Sequence, residues 1–437
     1  MRRYLPLSLL LGSLACTVLF GPVAAQDDPN YKPYAPKVAA ANDDWKKAIQ
    51  RIRVPASTRV DLWAAEPLLT QPVAFCIDEK NRIFVSETFR LHKGVTDVRN
   101  FPAWLEGDVA SRTVADRIAL MQKHLGKKAE SWAVDHERIR LLEDTKGTGQ
   151  ADRSVVFADG FNRLEDGLGA GLLARNGTVW YACIPNLWRL RDTKGTGKAD
   201  ERQALHTGYG VHIAFIGHDL HGPRLGPDGK LYFSCGDRGL HVETAGKVIS
   251  NPDSGAVLRC NPDGSELELV ATGLRNPQGI VFDQFGNLFT GDNNADGGDR
   301  ARWVQIVEGG DSGWRLSYQS MNFPTGLGPW NAERLWDAKN PTPAPYVVPP
   351  ITNLGDGPSG VCYDPGVTAL PERYRQHFFL CDFRGGSGNS GIRSFALKPK
   401  GASFELTDAH ECVWSVLPTD VHFGTDGALY LADWVEG

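Results

Sequence analysis

The most regular feature of the sequence is a strand–turn–strand pattern that recurs along the chain. Each copy has a short apolar run, a turn rich in Asp, Asn and Gly, and a second run of β-forming residues that often ends in an acid. Apolar runs separated by such turns are typical of antiparallel β-strands. The six copies span residues 74–87, 171–183, 224–237, 279–292, 360–382 and 421–433.

The spacing of the copies predicts the architecture. They recur every 40 to 60 residues or so, roughly the period of propeller blades, and each unit needs neighbours to bury its two faces. Further strand pairs between the copies suggest four strands per blade. The sequence therefore predicts an all-β fold, a six-bladed β-propeller of four-stranded blades over residues 58–437.

The two ends of this propeller carry a further expectation. Residues 60–64 alternate between apolar and polar positions, and we expect this N-terminal strand to close the last blade. The chain stops soon after the strand at 428–434. We therefore expect the last blade to be incomplete and the natural chain to continue past Gly437.

Two long intervals break the repeat. Residues 88–136 contain a helix-like stretch, roughly Arg112–His124, and are interpreted as an insertion over one face. Residues 315–358 are rich in Pro, Gly and Trp, and this composition predicts a long loop. Ahead of the propeller, residues 26–57 are polar and rich in Pro and Ala, which indicates a linker with a short helix near 44–52.

The N-terminus is typical of a targeting segment. A basic start at 1–3 is followed by an apolar run at 5–20 and small residues at 23–25. This pattern predicts a signal peptide over residues 1–25 and a periplasmic or secreted protein, with no other membrane span. Residues 14–16 weakly resemble a lipoprotein cleavage site, so a membrane-anchored N-terminus stays open.

Charge and cysteine content narrow the class of protein. The net charge is −5 and the basic residues are scattered, so a nucleic-acid partner is not expected. Removal of Cys16 with the signal peptide leaves seven cysteines, several of them inside apolar strands. Buried thiols are therefore favoured over a full disulfide set. No cysteine spacing suits zinc or covalently attached haem.

Residues 217–239, GHDLHGPRLGPDGKLYFSCGDRG, carry the first candidate chemistry. His218 and His221 come just before a predicted first strand, where propellers present side chains to the central channel. A neutral imidazole in such a place can accept a proton from an alcohol near neutral pH. The alternative is that either histidine only hydrogen-bonds the backbone.

Two further stretches carry candidate ligands. Arg275, in the turn RNPQG, precedes the next first strand, and its guanidinium can bind an anionic or carbonyl oxygen. The acidic loop that begins Asp292, Asn293, Asn294 could bind calcium or be a solvated turn. Arg384, before a Gly/Ser loop, could reach a channel or only pair with Asp382.

The segments GHDLHGPRLGPDGKLYFSCGDRG, LRNPQGIVFD and GDNNADGGDRARW resemble the soluble glucose/sorbosone dehydrogenase family. More closely, they resemble large secreted dehydrogenase-domain proteins of planctomycete-type bacteria. The resemblance implies a six-bladed propeller that binds pyrroloquinoline quinone (PQQ), with calcium, on its axis. It implies that His218 is the general base and that Arg275 polarises the quinone oxygens. The residues expected to contact the cofactor are Arg275, Asn276, Gln278 and Arg384, with the loop of Asp292, Asn293 and Asn294 placing the calcium.

The function that this implies is a periplasmic quinoprotein-like dehydrogenase. It would oxidise a sugar or alcohol by hydride transfer to PQQ and pass the electrons to a cytochrome c. His221 departs from the family pattern, so which histidine is the base stays open. One alternative is a calcium-dependent lactonase or hydrolase whose metal is held by Glu87, Asn276, Asp292 and Asp433. The other is a non-catalytic propeller that binds a carbohydrate or a partner.

Overall fold

The computed structural model describes residues 34–316 and 328–434, and its secondary structure is mostly β. Within these ranges the chain forms five four-stranded antiparallel sheets and two two-stranded hairpins. The strands are, in chain order, β1 (Pro72–Ile77), β2 (Ile83–Glu87), β3 (Glu137–Glu143), β4 (Arg153–Phe161), β5 (Gly169–Arg175), β6 (Thr178–Cys183), β7 (Asn186–Arg191), β8 (Glu201–Thr207), β9 (Leu220–Leu225), β10 (Leu231–Cys235), β11 (Leu240–Thr244), β12 (Lys247–Asn251), β13 (Gly255–Cys260), β14 (Glu268–Leu274), β15 (Ile280–Phe282), β16 (Leu288–Asp292), β17 (Arg302–Ile306), β18 (Thr352–Asn353), β19 (Pro358–Tyr363), β20 (Phe378–Asp382), β21 (Gly391–Lys400), β22 (Ser403–Trp414), β23 (Pro418–Phe423) and β24 (Leu429–Asp433).

The sheets follow one another in chain order. The first is β1 to β4 and the second β5 to β8; the third is β9, β10, β13 and β14, and the β11–β12 hairpin lies between β10 and β13 in the chain and packs into the core between the second and third sheets. The fourth is β15 to β18, the fifth is β19 to β22, and the last described unit is the β23–β24 hairpin. First strands of consecutive sheets pack side by side, and β23 lies beside β1.

This arrangement is consistent with a β-propeller whose first strands surround an axis. The predicted four-stranded units are present in five sheets. Six as the number of blades stays a prediction, because only two strands of the last unit lie within the described residues.

The central strands are apolar because neighbouring sheets cover both of their faces. Every residue of β2, β10, β16 and β20 is buried. Side chains of adjacent sheets form shared cores, as where Phe84 and Phe157 of the first sheet meet Leu172 of the second. The prediction of buried thiols is confirmed for the seven free cysteines in the described residues, which are Cys76, Cys183, Cys235, Cys260, Cys362, Cys381 and Cys412.

The expected N-terminal closing strand is wrong. Residues 60–64 form no strand, although the Trp63 carbonyl accepts a hydrogen bond from the Ala151 amide at 2.8 Å. The Trp63 ring instead packs edge-on against Tyr430, with centroids 6.2 Å apart. The segment thus contributes a large apolar side chain to the core between the first sheet and the last hairpin, and its backbone adds no strand to either.

Helices lie outside the sheets. They are α1 (Asp44–Arg51), α2 (Leu105–Ala110), α3 (Val114–Leu125) and α4 (Pro329–Ala332). The helix predicted at 112–124 is confirmed as α3, which begins with a reciprocal capping box between Thr113 and Asp116. No helix in the described part of the chain is long and apolar enough to cross a membrane. The predicted signal peptide, residues 1–25, lies outside the described residues.

The first strands approach one another closely where glycine has no side chain. A Cβ on Gly279 would lie 2.7 Å from the Ser359 carbonyl oxygen, and a Cβ on Gly360 would lie 2.5 Å from the Asp420 Cα. Both neighbours are backbone atoms, which cannot rotate away. These glycines therefore set the distance between consecutive sheets at the axis.

Side chains from several first strands meet on the axis. They do so at the C-terminal ends of these strands, which lie opposite the segments that enter them. Arg224 of β9 and His422 of β23 belong to sheets that are not neighbours, yet Arg224 Nη2 lies 3.3 Å from His422 Nε2. Asp420 Oδ2 lies 3.2 Å from the same imidazole nitrogen. Contact across the ring shows that the centre is packed at this level.

We predict that Gly279→Ala destabilises the fold by about 1–3 kcal/mol, because the added methyl group overpacks a backbone contact. The free energy of unfolding from urea titration measures this. Gly388→Ala is the matched control: a Cβ there meets nothing within 4 Å, and we expect a change of at most about 0.5 kcal/mol. Equal effects for the two variants would contradict the prediction.

Candidate functional site

The segments that enter the first strands lie at the same end of the sheets as the residues that leave the second strands, because adjacent strands are antiparallel. His218 precedes β9 and Arg275 precedes β15, whereas Asp292 ends β16. The topology therefore collects the candidate residues at one end of the molecule.

A buried acid at the end of the second strand closes three sheets in the same way. Glu87, Asp292 and Asp382 end β2, β16 and β20 and are fully buried. Each accepts hydrogen bonds of 2.7 to 3.0 Å from backbone N–H groups of the segment that enters its own sheet. Each also pairs with an arginine of the third strand; these are Arg138, Arg302 and Arg393. We refer to this arrangement of acid, entering backbone and arginine as the acid latch.

The third sheet departs from the acid latch. Asp237 follows β10 and accepts a hydrogen bond from His218 Nδ1–H at 2.6 Å and another from the Trp314 indole N–H at 2.8 Å. His218 belongs to the segment that enters this sheet. A side chain therefore takes the place of the backbone donor, and an indole takes the place of the arginine. All three side chains are buried.

The charge states of this pair follow from its surroundings. Burial lowers the pKa of His218; the Asp237 carboxylate opposes this shift and the Arg275 cation adds to it. Burial raises the pKa of Asp237, but its contacts with His218 lower the pKa by more than burial raises it. The pKa of Asp237 therefore lies below its usual range. At neutral pH the carboxylate is ionised and the imidazole is neutral. Nδ1 then carries the proton and Nε2 the free lone pair.

His221 has a different environment. Its Nδ1–H donates to the Ala170 carbonyl over 3.4 Å, and its Nε2 is buried without a hydrogen-bond partner among the described residues. Burial lowers the pKa of His221 to about 4. It is hydrogen-bonded to no carboxylate in this part of the chain, so only His218 has an acid to orient its ring.

Arg275 lies beside the His218–Asp237 pair. Its carbonyl accepts the Asp237 N–H at 2.7 Å, and its side chain is 2% exposed. The guanidinium carbon lies 5.2 Å from the centroid of Phe215 and 5.7 Å from that of Trp314. Its ion pair with Asp296 is long, at 3.7 Å, and its Nε is buried without a partner among the described residues. Two predicted site residues, His218 and Arg275, are thus brought together.

The insertion covers the segment that carries His218. The Asp108 carboxylate accepts the backbone N–H groups of Ile213 and Ala214 at 2.7 and 3.0 Å. Apolar side chains of the insertion, among them Trp104, pack against Ile213 and Phe215. The insertion therefore fixes the backbone that leads into His218 and covers Phe215, whose ring packs edge-on against the imidazole.

Two of the side chains expected near calcium, those of Asp292 and Asn293, have partners within the protein. The Asp292 carboxylate is occupied by two backbone N–H groups and by Arg302. The Asn293 side-chain oxygen accepts the Asn294 N–H at 3.1 Å. In residues 34–316 and 328–434, no group of three or more His, Cys, Asp or Glu side chains is arranged to hold a metal ion.

The carboxylates of the predicted hydrolase site are also engaged. Glu87 and Asp292 belong to acid latches, and Asp433 accepts the Leu417 N–H at 3.0 Å. These acids bind the backbone of their own sheets, Asp292 through the Asn276 N–H among others, and they form no three-acid group for a metal within the described residues. Asn276 has a buried side-chain oxygen without a hydrogen-bond partner in the described residues.

Two other predicted cofactor residues have local partners. Arg384 pairs with Asp382 at 2.9 Å and with Asp356 at 3.1 Å, and its described polar contacts include neither His218 nor Arg275. This is the pairing that the sequence left as the alternative for Arg384. Gln278 donates from Nε2 to the Gly217 carbonyl over 3.4 Å, next to His218.

Sequence reasoning missed Asp237 and Trp314. A signal existed for Asp237, since it is the acid that ends the third copy of the strand–turn–strand pattern. Trp314 lies in an irregular stretch after β17, and no pattern around it indicates a contact with Asp237.

Solved structures of similar fold include carbohydrate-active enzymes. A Trichoderma reesei enzyme of carbohydrate-active enzyme family AA12 matches with a TM-score of 0.53 at 13% identity, covering 87% of this chain and 94% of its own. The PQQ-bound aldose sugar dehydrogenase of Streptomyces coelicolor has a TM-score of 0.47 at 16% identity, with 88% and 92% covered. The pyranose dehydrogenase PQQ domain of Coprinopsis cinerea has 0.49 at 12%, with 88% and 94% covered. At 13% identity the first similarity shows a shared fold.

Comparison with family models assigns the chain more directly. Residues 44–437 match the family described as Domain of unknown function (DUF7133). The chain belongs to this family. A search of curated proteins found no match.

We predict that Asp382→Asn destabilises the fold by about 2–3 kcal/mol at neutral pH, because the half-buried Arg384 and Arg393 lose the charge of the buried carboxylate to which they donate. Burial raises the pKa of Asp382, but Arg384, the Asp356 N–H and Arg393 lower it more, so its pKa in the folded protein is depressed. The stabilisation is therefore complete above the unfolded pKa of about 3.9 and is lost as the pH falls through the folded value.

Urea titrations at several pH values measure this effect. The difference between wild type and Asp382→Asn should begin to shrink below about pH 5. Asp61→Asn, on a carboxylate that is 64% exposed, is the control and should stay within about 0.5 kcal/mol of wild type. A difference that stays constant down to pH 3 would argue against the latch.

Proposed function

We propose that this protein is a quinone-dependent dehydrogenase that oxidises a hydroxyl group of a sugar or another alcohol. The observation that carries the proposal is the buried Asp237–His218 pair with Arg275 beside it. A neutral imidazole that is oriented by a carboxylate, next to a buried cation, is suited to removing a proton from a hydroxyl group.

His218 supplies the base. Because Nδ1–H is bound to Asp237, the lone pair of Nε2 accepts the substrate's hydroxyl proton. Asp237 keeps the ring in this tautomer and stabilises the imidazolium that forms. As the carbonyl forms, the hydrogen on the same carbon leaves with its electron pair, and PQQ supplies the acceptor for this hydride when it is bound.

Arg275 supplies positive charge where an oxygen becomes more negative. Its guanidinium is held between the rings of Phe215 and Trp314 and is shielded from water. A fixed cation in a dry site stabilises such charge more strongly than one in solvent. The buried, unpartnered Nε leaves it a donor for a ligand.

The residues present fit a quinone that carries carboxylates. Arg275 offers a cation and an unpartnered Nε donor, and the buried polar atoms of His221 and Asn276, whose side chains interact with each other, could turn to a ligand. These residues, with Gln278, would hold the cofactor. Arg384 fits less well, since Asp382 and Asp356 already neutralise it.

We propose calcium binding, the cellular location, the electron acceptor and the number of blades from the sequence. If calcium takes part, the carbonyl oxygens of loop 292–294 would hold it, because the Asp292 carboxylate is occupied. The N-terminal pattern supports a periplasmic or secreted location, and a cytochrome c suits the role of electron acceptor. We also propose six blades, since six copies of the strand pattern are present.

We predict that purified protein with added PQQ and calcium reduces a redox dye when it is given a suitable aldose or alcohol. His218→Ala should lower kcat/KM by about 10²–10⁴-fold, because the base is lost. His241→Ala, on the β11–β12 hairpin, should leave the rate unchanged. Absence of both quinone binding and dye reduction across a panel of sugars would favour a non-catalytic propeller.

The pH profile tests the Asp237–His218 pair separately. Since His218 must be neutral to act, kcat/KM should fall as the pH drops through its pKa, which lies below the ordinary value of about 6.5. Asp237→Asn removes the carboxylate that favours the imidazolium, so the acid limb should move to lower pH and the rate should fall by about 10²-fold or more. An unchanged acid limb in Asp237→Asn would assign the base elsewhere, with His221→Gln as the next variant.

A further inference from the structure

We infer that Arg99 and Arg275 form an anion subsite that Asp296 occupies in this structure and that the carboxylate of a ligand takes over. The inference rests on the proposed function, because the subsite adjoins His218. It narrows the ligand to one that carries a carboxylate: a sugar acid as substrate, or the quinone itself.

Two cations from different parts of the chain converge on Asp296. Arg99 comes from the insertion, and its Nη1 lies 3.8 Å from Asp296 Oδ2. Arg275 enters the fourth sheet, and its Nη2 lies 3.7 Å from the same oxygen. Both guanidinium carbons lie over the ring of Phe215, at 4.5 and 5.2 Å from its centroid. The arrangement is a two-arginine site with a carboxylate in it.

The contacts of Asp296 leave room for replacement. Both distances exceed those of charge-assisted hydrogen bonds, which are about 2.7–2.9 Å. The Asp296 side chain is 62% exposed, so water screens both ion pairs and they contribute little. Arg275, by contrast, is 2% exposed and has an unpartnered Nε. Because Asp296 is exposed, water can replace its long contact with Arg275, and a ligand carboxylate can approach the guanidinium more closely than 3.7 Å.

Arg99 is oriented for this role before a ligand arrives. Asp97 accepts from its Nε at 2.9 Å and from its Nη2 at 2.8 Å, which fixes the plane of the guanidinium. Nη1 is left facing Asp296. A guanidinium that is already fixed loses less conformational freedom when it binds a ligand.

The side chain of Phe215 lies between the subsite and the proposed base, His218. Phe215, which both arginines contact, also packs edge-on against His218 with centroids 5.6 Å apart. A molecule whose hydroxyl group faces His218 can therefore place a carboxylate between Arg99 and Arg275. A uronic acid has both groups, whereas the corresponding neutral sugar lacks the carboxylate.

The experiment measures binding by isothermal titration calorimetry on the full chain. The probes are D-glucuronate, D-glucose and PQQ, and the variants are Asp296→Asn and Arg99→Gln. Asp296→Asn should bind the carboxylate ligand about fivefold more tightly, because the internal competitor loses its charge. Arg99→Gln should bind it about tenfold more weakly, because a charge-assisted hydrogen bond is lost. D-Glucose binding should not respond to either variant.

Matched surface variants control for a general change of charge. Asp61→Asn alters a carboxylate that is 64% exposed, and Arg373→Gln alters an arginine that is 55% exposed. These exposures are close to those of Asp296 and Arg99, at 62% and 49%. Neither control should change the affinity for D-glucuronate or PQQ by more than about twofold.

The responses separate the two sources of the carboxylate. A change in D-glucuronate affinity with PQQ affinity unchanged assigns the subsite to the substrate, and the reverse assigns it to the quinone. If neither affinity responds to Asp296→Asn or Arg99→Gln, the inference is overturned, even for a protein that oxidises sugars. If the protein shows no turnover but its ligand affinities respond to these variants, the anion subsite is supported and the proposed dehydrogenase function is contradicted.

Discussion

A buried carboxylate needs hydrogen-bond donors or a cation to compensate its charge. In this protein the carboxylate of each acid latch obtains these donors from the segment that enters its own sheet, and so ties that segment to the sheet. Glu87, Asp292 and Asp382 have no access to water and each satisfies its charge with entering backbone and a cross-strand arginine. Taking one partner away would strand the other charge in a low-dielectric interior. The latch therefore fixes where each first strand begins, and with it the end of the sheet where side chains can meet.

The candidate site is best understood as an acid latch with two partners exchanged. In the third sheet the acid receives an imidazole N–H in place of a backbone N–H, and an indole N–H in place of a guanidinium. The Asp237 carboxylate binds His218 directly, and the positive charge of Arg275 lies close to the pair. The same structural device thus yields either a rigid closure or an oriented base, depending on which donors meet the acid.

The sequence indicates the strands and their terminal acids because both depend on local pattern. Apolar runs between Gly- and Asp-rich turns are visible along the chain, and five four-stranded sheets follow from them. The partners of Asp237 are set by tertiary packing, since His218 precedes its strand pair and Trp314 belongs to another sheet's connection, so these contacts were not apparent. The Arg384–Asp382 pair, two residues apart, was one of the two alternatives that the sequence offered. Residues 60–64 alternate between apolar and polar positions but form no strand. Alternation alone therefore does not distinguish a paired strand from a segment that buries one large ring, here that of Trp63.

Contact between Arg224 and His422 makes the two ends of the central axis different. Side chains of non-neighbouring sheets meet at the far level of the first strands, and this contact narrows the axis there. A small molecule that contacts His218 would then approach from the opposite end, where the insertion and the acidic loop lie. Under the proposed function, product and incoming substrate would share that end of the molecule, and their exchange there would limit turnover however fast the proton is removed.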